Sequence, residues 1–263
     1  MTKPGKVFLI GAGPGAPELL TLRAVRMLQT ADVVVHDRLV SDEILALSPD
    51  RARMISVGKA PTFHPVPQER INEILLEEAR AGHVVARLKG GDPLIFGRGS
   101  EEAAHLMANG IAVEYAPGIT AAQGAACATG VPLTHRGLAT GVQYVTGHRQ
   151  AGRGLDLDWK RLADPDMTLV VYMGVANIGQ IAMGLMTEGL PESTPVLAVA
   201  RATTPQERRL VSRLDRIAAD IRQAEMAAPV LFIIGQVVSL YADMPTAAVA
   251  ADLAAAPRVA AHA

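Results

Sequence analysis

Two glycine-rich turns carry the residues of this chain best suited to hold a small ligand. The first, GAGPG, sets Gly11, Gly13 and Gly15 at every second position after an apolar run. The second, KGGDP, sets Gly90 and Gly91 ahead of Asp92 and Pro93. Glycines at a strand end let the backbone approach a ligand closely, and Asp92 can accept hydrogen bonds from a hydroxyl or amino group. That chemistry suits a hydroxylated, amine-bearing ligand better than a polyphosphate. The dinucleotide fingerprint needs a Gly-x-x-Gly step that GAGPG lacks, and the Lys-Ser/Thr pair of a phosphate loop is absent as well. Pro14 also removes an amide that a phosphate would use. Two alternatives stay open for GAGPG: a tight turn without a ligand, or a dinucleotide-dependent oxidoreductase or nucleotide sensor.

Three charged residues stand where chemistry could be done. Asp37, in HDRLVS, follows the second apolar run, at the strand edge where sites form in open α/β sheets. A carboxylate there can take a proton or steady a developing cation, or it can simply cap the next turn. Lys59, in VGKA, also follows a strand, and is otherwise a solvated loop charge. Arg87 comes off a strand just before KGGDP, and a half-buried arginine needs a carboxylate partner, from substrate or protein. His64, His135 and His148 have no metal-ligand spacing, so no metal is expected.

The elements that must position these groups alternate. KVFLIGA, VVVH, RMISV, HVVARL and AVEYA read as strands. Between them, ELLTLRAVRMLQTA, DEILALS, QERINEILLEEARAG and SEEAAHLMANG read as helices, the longer ones with apolar residues at helical spacing. Residues 129–140 contain Pro132 and Gly137, lack periodicity and read as a linker. Beyond them GVQYVTG, MTLVVYMG, TPVLAVA, RRLVS and APVLFIIG supply further strands, with helices in NIGQIAMGLMTEG and RLDRIAADIRQAE. The expected organisation is an α/β domain over 1–136, a second α/β domain over 137–241 and an alanine-rich tail over 242–263.

Bulk properties agree. The 263 residues are 49% hydrophobic and 19% charged, enough for a sizeable core. With 25 basic and 26 acidic residues the net charge is -1, which argues against coating a nucleic-acid backbone. The single cysteine, Cys127, forms no intrachain disulfide and is expected as a small buried helix residue. No apolar stretch is long enough to cross a bilayer, so no membrane partner and a cytoplasmic setting are expected.

Several segments taken together resemble one family: GAGPGAPELLTLRA, VVVHDRLVS, VGKA, RLKGGDPLIFGRGSEE, YAPGITAAQGAA, GVPLTHR, VTGH and VVYMG. They are similar to the S-adenosylmethionine-dependent tetrapyrrole methylases, and within that family to the uroporphyrinogen-III C-methyltransferases, across roughly Lys6 to Gly235. The resemblance implies two α/β domains with the cofactor bent into the cleft between them, unlike a standard Rossmann methyltransferase, and a homodimer. It implies methyl transfer from S-adenosylmethionine to C2 and C7 of uroporphyrinogen III, giving precorrin-2 through precorrin-1, on a route to cobalamin or siroheme. It makes Asp37 the acid-base group and Lys59 a proton donor; Arg87, from its place ahead of the glycine loop, is expected to face the acidic macrocycle or to make an ion pair within the protein. For the cofactor it selects Pro14, Gly90, Gly91, Asp92, Ile95, Thr120, Ala121, Met173 and Ala202. The substrate carries eight carboxylates, for which Arg38, Arg98, Arg136, His148 and Arg149 are candidate partners. A sister methylase acting on a later corrin precursor is the nearest rival, followed by methylases of rRNA or of a modified protein residue.

Overall fold

The structure, a computed structural model, describes residues 4–58, 66–148 and 155–243. Lys59, His64, Arg149 and the tail beyond residue 243 lie outside the described residues. The first half builds a five-stranded parallel sheet from β1 (Lys6–Gly11), β2 (Val33–His36), β3 (Arg53–Ser56), β4 (Val84–Lys89) and β5 (Ala112–Ala116). Its central strands are largely apolar because both faces are covered, with Arg87 and Lys89 of β4 as the buried charged exceptions. Helices α1 (Leu22–Gln29) and α2 (Asp42–Leu45) cover one face, where Ala24, Leu28 and Ile44 meet Phe8, Ile10, Val34 and Leu88. Helices α3 (Gln68–Arg80) and α4 (Gly99–Ala108) cover the other, where Leu75, Ala79, Ala103 and Leu106 meet Val7, Leu9, Val35 and Val85.

Strand order in this sheet is β3-β2-β4-β1-β5. The chain therefore leaves β1 towards β2 across one face, through α1, and leaves β4 towards β5 across the other, through α4. Neighbouring strands whose connections part in this way open a crevice at their carboxyl ends, where ligands bind in open sheets. Both glycine-rich turns start at that edge.

The second sheet has order β6-β7-β10-β8-β9, from β6 (Gly141–Thr146), β7 (Met167–Tyr172), β8 (Pro195–Ala200), β9 (Arg208–Arg213) and β10 (Val230–Ile234). It is mixed: β6 and β7 are parallel, while β10 runs antiparallel to β7 and β8, and β9 antiparallel to β8. Helix α5 (Ala121–Thr129) follows β5 in the chain but packs on this second sheet, with Ala122 and Ala125 against Val170, Leu197 and Ile233. A short helix, α6 (Trp159–Leu162), was not expected from the sequence; Asp158 caps it by accepting the Arg161 amide. Helices α7 (Ile178–Thr187) and α8 (Ile217–Gln223) cover the opposite face.

Cys127 is exposed, contrary to the sequence expectation. The inward stripe of α5 is Ala122, Ala125 and Thr129, at helical spacing, and Cys127 falls off it.

Candidate active site

Gly13 and Gly91 stand at the meeting point of the two turns. The Gly91 amide donates to the Gly13 carbonyl at 2.7 Å, and the Gly13 amide donates back to Gly91 at 3.1 Å. Both residues hold left-handed backbone, φ 71° and 70°, which glycine adopts without a steric penalty. The turn after β5 joins them. A methyl group on Gly118 would lie 2.1 Å from the Gly91 carbonyl oxygen and 2.8 Å from the Gly11 Cα. Three turns, from β1, β4 and β5, thus touch through bare backbone.

Asp92 fastens this arrangement. Its Oδ1 accepts the Leu94 amide at 2.8 Å and its Oδ2 accepts the Gly118 amide at 3.0 Å. Thr120 is likewise turned to its own helix: it forms a capping box with Gln123 at the start of α5. Both expected polar ligands therefore hold backbone in place. A Cβ built on Gly91 would have nothing nearer than the Ala121 nitrogen at 3.9 Å and the Thr120 Cα at 4.0 Å. That side-chain-free cradle before the first turn of α5 fits a ligand held by backbone groups. It fits an adenosine and amino-acid group without a pyrophosphate, because Pro14 offers no amide there.

Further expected residues assemble around the cradle from both halves. Pro14 would contact any methyl group placed on Gly124 of α5. The Ala16 amide donates to Thr203 Oγ1 at 3.2 Å, tying the first turn to the loop that carries Ala202. The Ala122 amide donates to Tyr172 Oη at 3.1 Å, and the Tyr172 ring lies 4.9 Å from that of Phe96, next to Ile95. Burial pushes the Tyr172 phenol upward in pKa. Met173 follows with a left-handed φ of 54° and is 52% exposed, so its thioether side chain is open to a ligand. Tyr172, Phe96 and Thr203, none of them foreseen, are what join the two halves here.

The Asp37 turn borders the same place. A Cβ on Gly90 would meet Leu39 Cβ at 2.6 Å, and Ser41 Oγ donates to the Gly15 carbonyl at 3.0 Å. Asp37 is half-buried, and its Oδ1 accepts the Leu39 amide at 2.8 Å, so one oxygen caps the turn. Arg38 is exposed beside it.

Arg87 has the carboxylate partner expected of it, but on the protein rather than on a macrocycle. Its side chain is 4% exposed and its Nε lies 3.2 Å from Glu102 Oε1, so its partner is a carboxylate of the protein and it does not face an open cleft. The cause is the inward face of β4, on which position 87 is covered by α4. Lys89 Nζ lies 2.9 Å from the same oxygen, and Gln68 Nε2 donates to it at 3.2 Å. Glu102 is fully buried, and its Oε2 has no hydrogen-bond partner. Burial lowers the Lys89 pKa, the Arg87 charge adds to this, and Glu102 opposes it.

The remaining cations are more peripheral. Arg98 is held by Glu101 at 2.7 Å. Arg136 is exposed in the turn closed by the His135–Ala139 bridge, and His148 is exposed at the end of β6. Among the described residues, neither has a contact tying it to the glycine cluster. No group of His, Cys, Asp or Glu among the described residues has metal-holding geometry. No described helix is long and apolar enough to cross a membrane. An open groove of about 400 Å³, lined by Leu19, Thr21, Pro117, Gly118, Gln123 and Cys127 among others, contains none of the expected cofactor residues. The converging turns, rather than cavity size, locate the site.

Comparison with known proteins agrees with this geometry. Residues 6–218 match the family model described as Tetrapyrrole (Corrin/Porphyrin) Methylases. The chain is 60% identical over 239 residues to a protein of Paracoccus denitrificans named uroporphyrinogen-III C-methyltransferase, covering 91% of this chain and 83% of that one. It is 52% identical to the Arabidopsis thaliana chloroplastic S-adenosyl-L-methionine-dependent uroporphyrinogen III methyltransferase, of which it spans 64%. It spans about half the length of relatives named siroheme synthase, such as that of Chromobacterium violaceum (48% identical, 90% of this chain and 50% of that one). Among solved structures, the Thermus thermophilus uroporphyrin-III C-methyl transferase complexed with S-adenyl homocysteine superposes with a TM-score of 0.77 at 44% identity, covering 90% of this chain and 94% of that one. With residues 6–218 of its 263 matched by that family model, the chain belongs to the tetrapyrrole (corrin/porphyrin) methylase family.

Proposed function

We propose that the chain transfers methyl groups from S-adenosylmethionine to C2 and C7 of uroporphyrinogen III, forming precorrin-2 through a singly methylated precorrin-1. The observation that carries this reading is the 60% identity with the Paracoccus methyltransferase across 83% of that protein. The cobalt precorrin-4 methyltransferase CbiF shares the fold with a TM-score of 0.79 but is only 26% identical, which disfavours a later corrin precursor.

When bound, S-adenosylmethionine supplies an electrophilic methyl group for direct displacement. The chain's own work is then alignment and proton handling. Pro14, Gly90, Gly91 and Ala121 form the cradle, Asp92 and Thr120 keep it in shape, and Ile95, Met173 and Ala202 close its sides. The half-buried Asp37 carboxylate steadies the cationic ring left by methylation and removes its proton. Lys59 donates a proton, and Arg38, Arg98, Arg136, His148 and Arg149 receive the substrate carboxylates. Arg87 supports this site from within through Glu102.

The working division is a domain over 1–136, a second over 137–241 and a tail over 242–263, acting as a cytoplasmic homodimer. Incubation with uroporphyrinogen III and S-adenosylmethionine, followed by mass measurement of the product, tests the activity. Two added methyl groups support it, and none would sink it.

A further inference from the structure

Six non-glycine residues among those described hold left-handed backbone, and five of them stand in turns that leave the carboxyl ends of β4, β7 and β8. Phe96 and Arg98 follow β4, Met173 follows β7, and Arg201 and Thr203 follow β8. Such backbone is unfavourable for a residue with a side chain. It persists only where neighbours enforce it, and it gathers at functional sites. Thr203, at φ 68°, is the one β-branched member of the five, and for a branched side chain the conformation is least favourable.

Two hydrogen bonds hold Thr203 in place. Its amide donates to Glu207 Oε2 at 2.7 Å, and its Oγ1 accepts the Ala16 amide of the first glycine turn at 3.2 Å. Glu207 is itself fixed. Its other oxygen accepts Arg209 Nε at 2.6 Å, and Arg209 Nη2 donates to the Ala128 carbonyl of α5 at 2.6 Å. The loop lies against the flank of the cradle. A methyl group on Gly15 would come to 2.4 Å from Thr204 Cγ2, and one on Gly124 would stand 3.6 Å from Thr203 Cγ2. Ala202, between the two left-handed residues, is buried in the apolar cluster that α5 forms with the second sheet.

We infer that Glu207 is a positioning residue for the cofactor: by accepting the Thr203 amide it holds the 201–204 loop in its left-handed bend, closed on the first glycine turn, and so sets Ala202 at the edge of the cradle. Glu207 acts through Thr203 rather than on the substrate. The inference rests on the reading that places S-adenosylmethionine against Ala202.

Calorimetry with S-adenosylhomocysteine tests this on the full chain, beside hydrogen exchange of the Thr203 amide in the ligand-free protein. Glu207→Ala removes the acceptor. It should weaken binding by on the order of ten-fold and speed exchange at Thr203. Glu207→Gln keeps a side-chain oxygen for that amide while losing the ion pair with Arg209. It should bind nearly as the parent does and keep the Thr203 amide protected. Arg209→Met breaks the same ion pair from the other side and should also spare most of the affinity. Thr203→Val keeps the branched shape but loses the acceptor of the Ala16 amide, and should weaken binding as Glu207→Ala does.

A merely structural role would lower the melting temperature and leave the affinity unchanged. Parent affinity in Glu207→Ala therefore overturns the inference. So does an equal loss in Glu207→Gln and Arg209→Met, which would assign the effect to the ion pair. If Glu207→Ala does not fold, Thr203→Val decides. In turnover, KM for S-adenosylmethionine should rise in Glu207→Ala while KM for uroporphyrinogen III stays at the parent value. The reading beneath has its own check, since Ala202→Leu narrows the cradle and should weaken S-adenosylhomocysteine binding. Parent affinity in that variant would overturn the placement of the cofactor, and exchange at Thr203 would still report whether Glu207 holds the bend.

Discussion

The backbones of Gly13 and Gly91 exchange a pair of hydrogen bonds, 3.1 and 2.7 Å long, across the carboxyl edge of the first sheet. Two glycine-rich segments nearly eighty residues apart in the chain are therefore one structural unit. A ligand at one turn is at both. Strand order makes this possible, because β1 and β4 are neighbours whose connections leave on opposite faces.

The third turn makes that unit intolerant of any side chain. Gly118→Ala would drive a methyl group to 2.1 Å from a backbone oxygen that is itself hydrogen-bonded to Gly13. Overpacking of this kind costs about 1–3 kcal/mol. Chemical denaturation of Gly118→Ala should register a loss of that size, and calorimetry should find weaker S-adenosylhomocysteine binding. Wild-type values for both would show that the three turns can separate freely.

Glu102 is the charge on which the interior of the site depends. Glu102→Ala leaves Arg87 and Lys89 buried without their shared partner, and breaking a buried pair in this way costs about 3–5 kcal/mol. Glu101→Ala removes only an exposed partner of Arg98 and should cost no more than about 1 kcal/mol. Urea melts of the two variants should separate these adjacent glutamates sharply. Equal losses would contradict the burial of Glu102.

Tyr172 links the second sheet to the first. Tyr172→Phe keeps the ring beside Phe96 but removes the oxygen that accepts the Ala122 amide in the first turn of α5. An amide left without its acceptor costs about 1–3 kcal/mol. The same variant should weaken S-adenosylhomocysteine binding, since α5 begins at the cradle. A melting temperature and an affinity both equal to wild type would assign that amide to solvent.

Most strands were legible in the sequence because buried strands, parallel or not, are runs of Val, Ile, Leu and Ala, and several of them end at a glycine. All ten strands of the described residues were anticipated within a residue or two. The residues that join the halves were not. Phe96–Tyr172 and Ala16–Thr203 depend on how two sheets meet, which no local pattern encodes. The buried charges were half legible. Arg87 was expected to need a carboxylate, yet Glu102 hid beside Glu101 in what reads as an acidic helix start. One signal was available: Glu102 lies four residues before the buried Leu106, on the inward stripe of α4. Lys89, two positions after Arg87 on an apolar strand, carried a similar signal.

Asp37 both caps its own turn and, in the proposed reaction, handles a proton, and two substitutions separate these tasks. Asp37→Ala removes the acceptor of the Leu39 amide, and Leu39 packs on Gly90, so part of any loss could pass through the cradle. Asp37→Asn retains an oxygen for that amide and removes only the ionisable group. Loss of an acid-base group lowers turnover by roughly 10²- to 10⁴-fold. Both variants should fall in that range in single-turnover methyl transfer, with Asp37→Asn binding S-adenosylhomocysteine as the parent does. Turnover restored in Asp37→Asn but not in Asp37→Ala would make Asp37 a turn cap, and the proton would have to leave through another group.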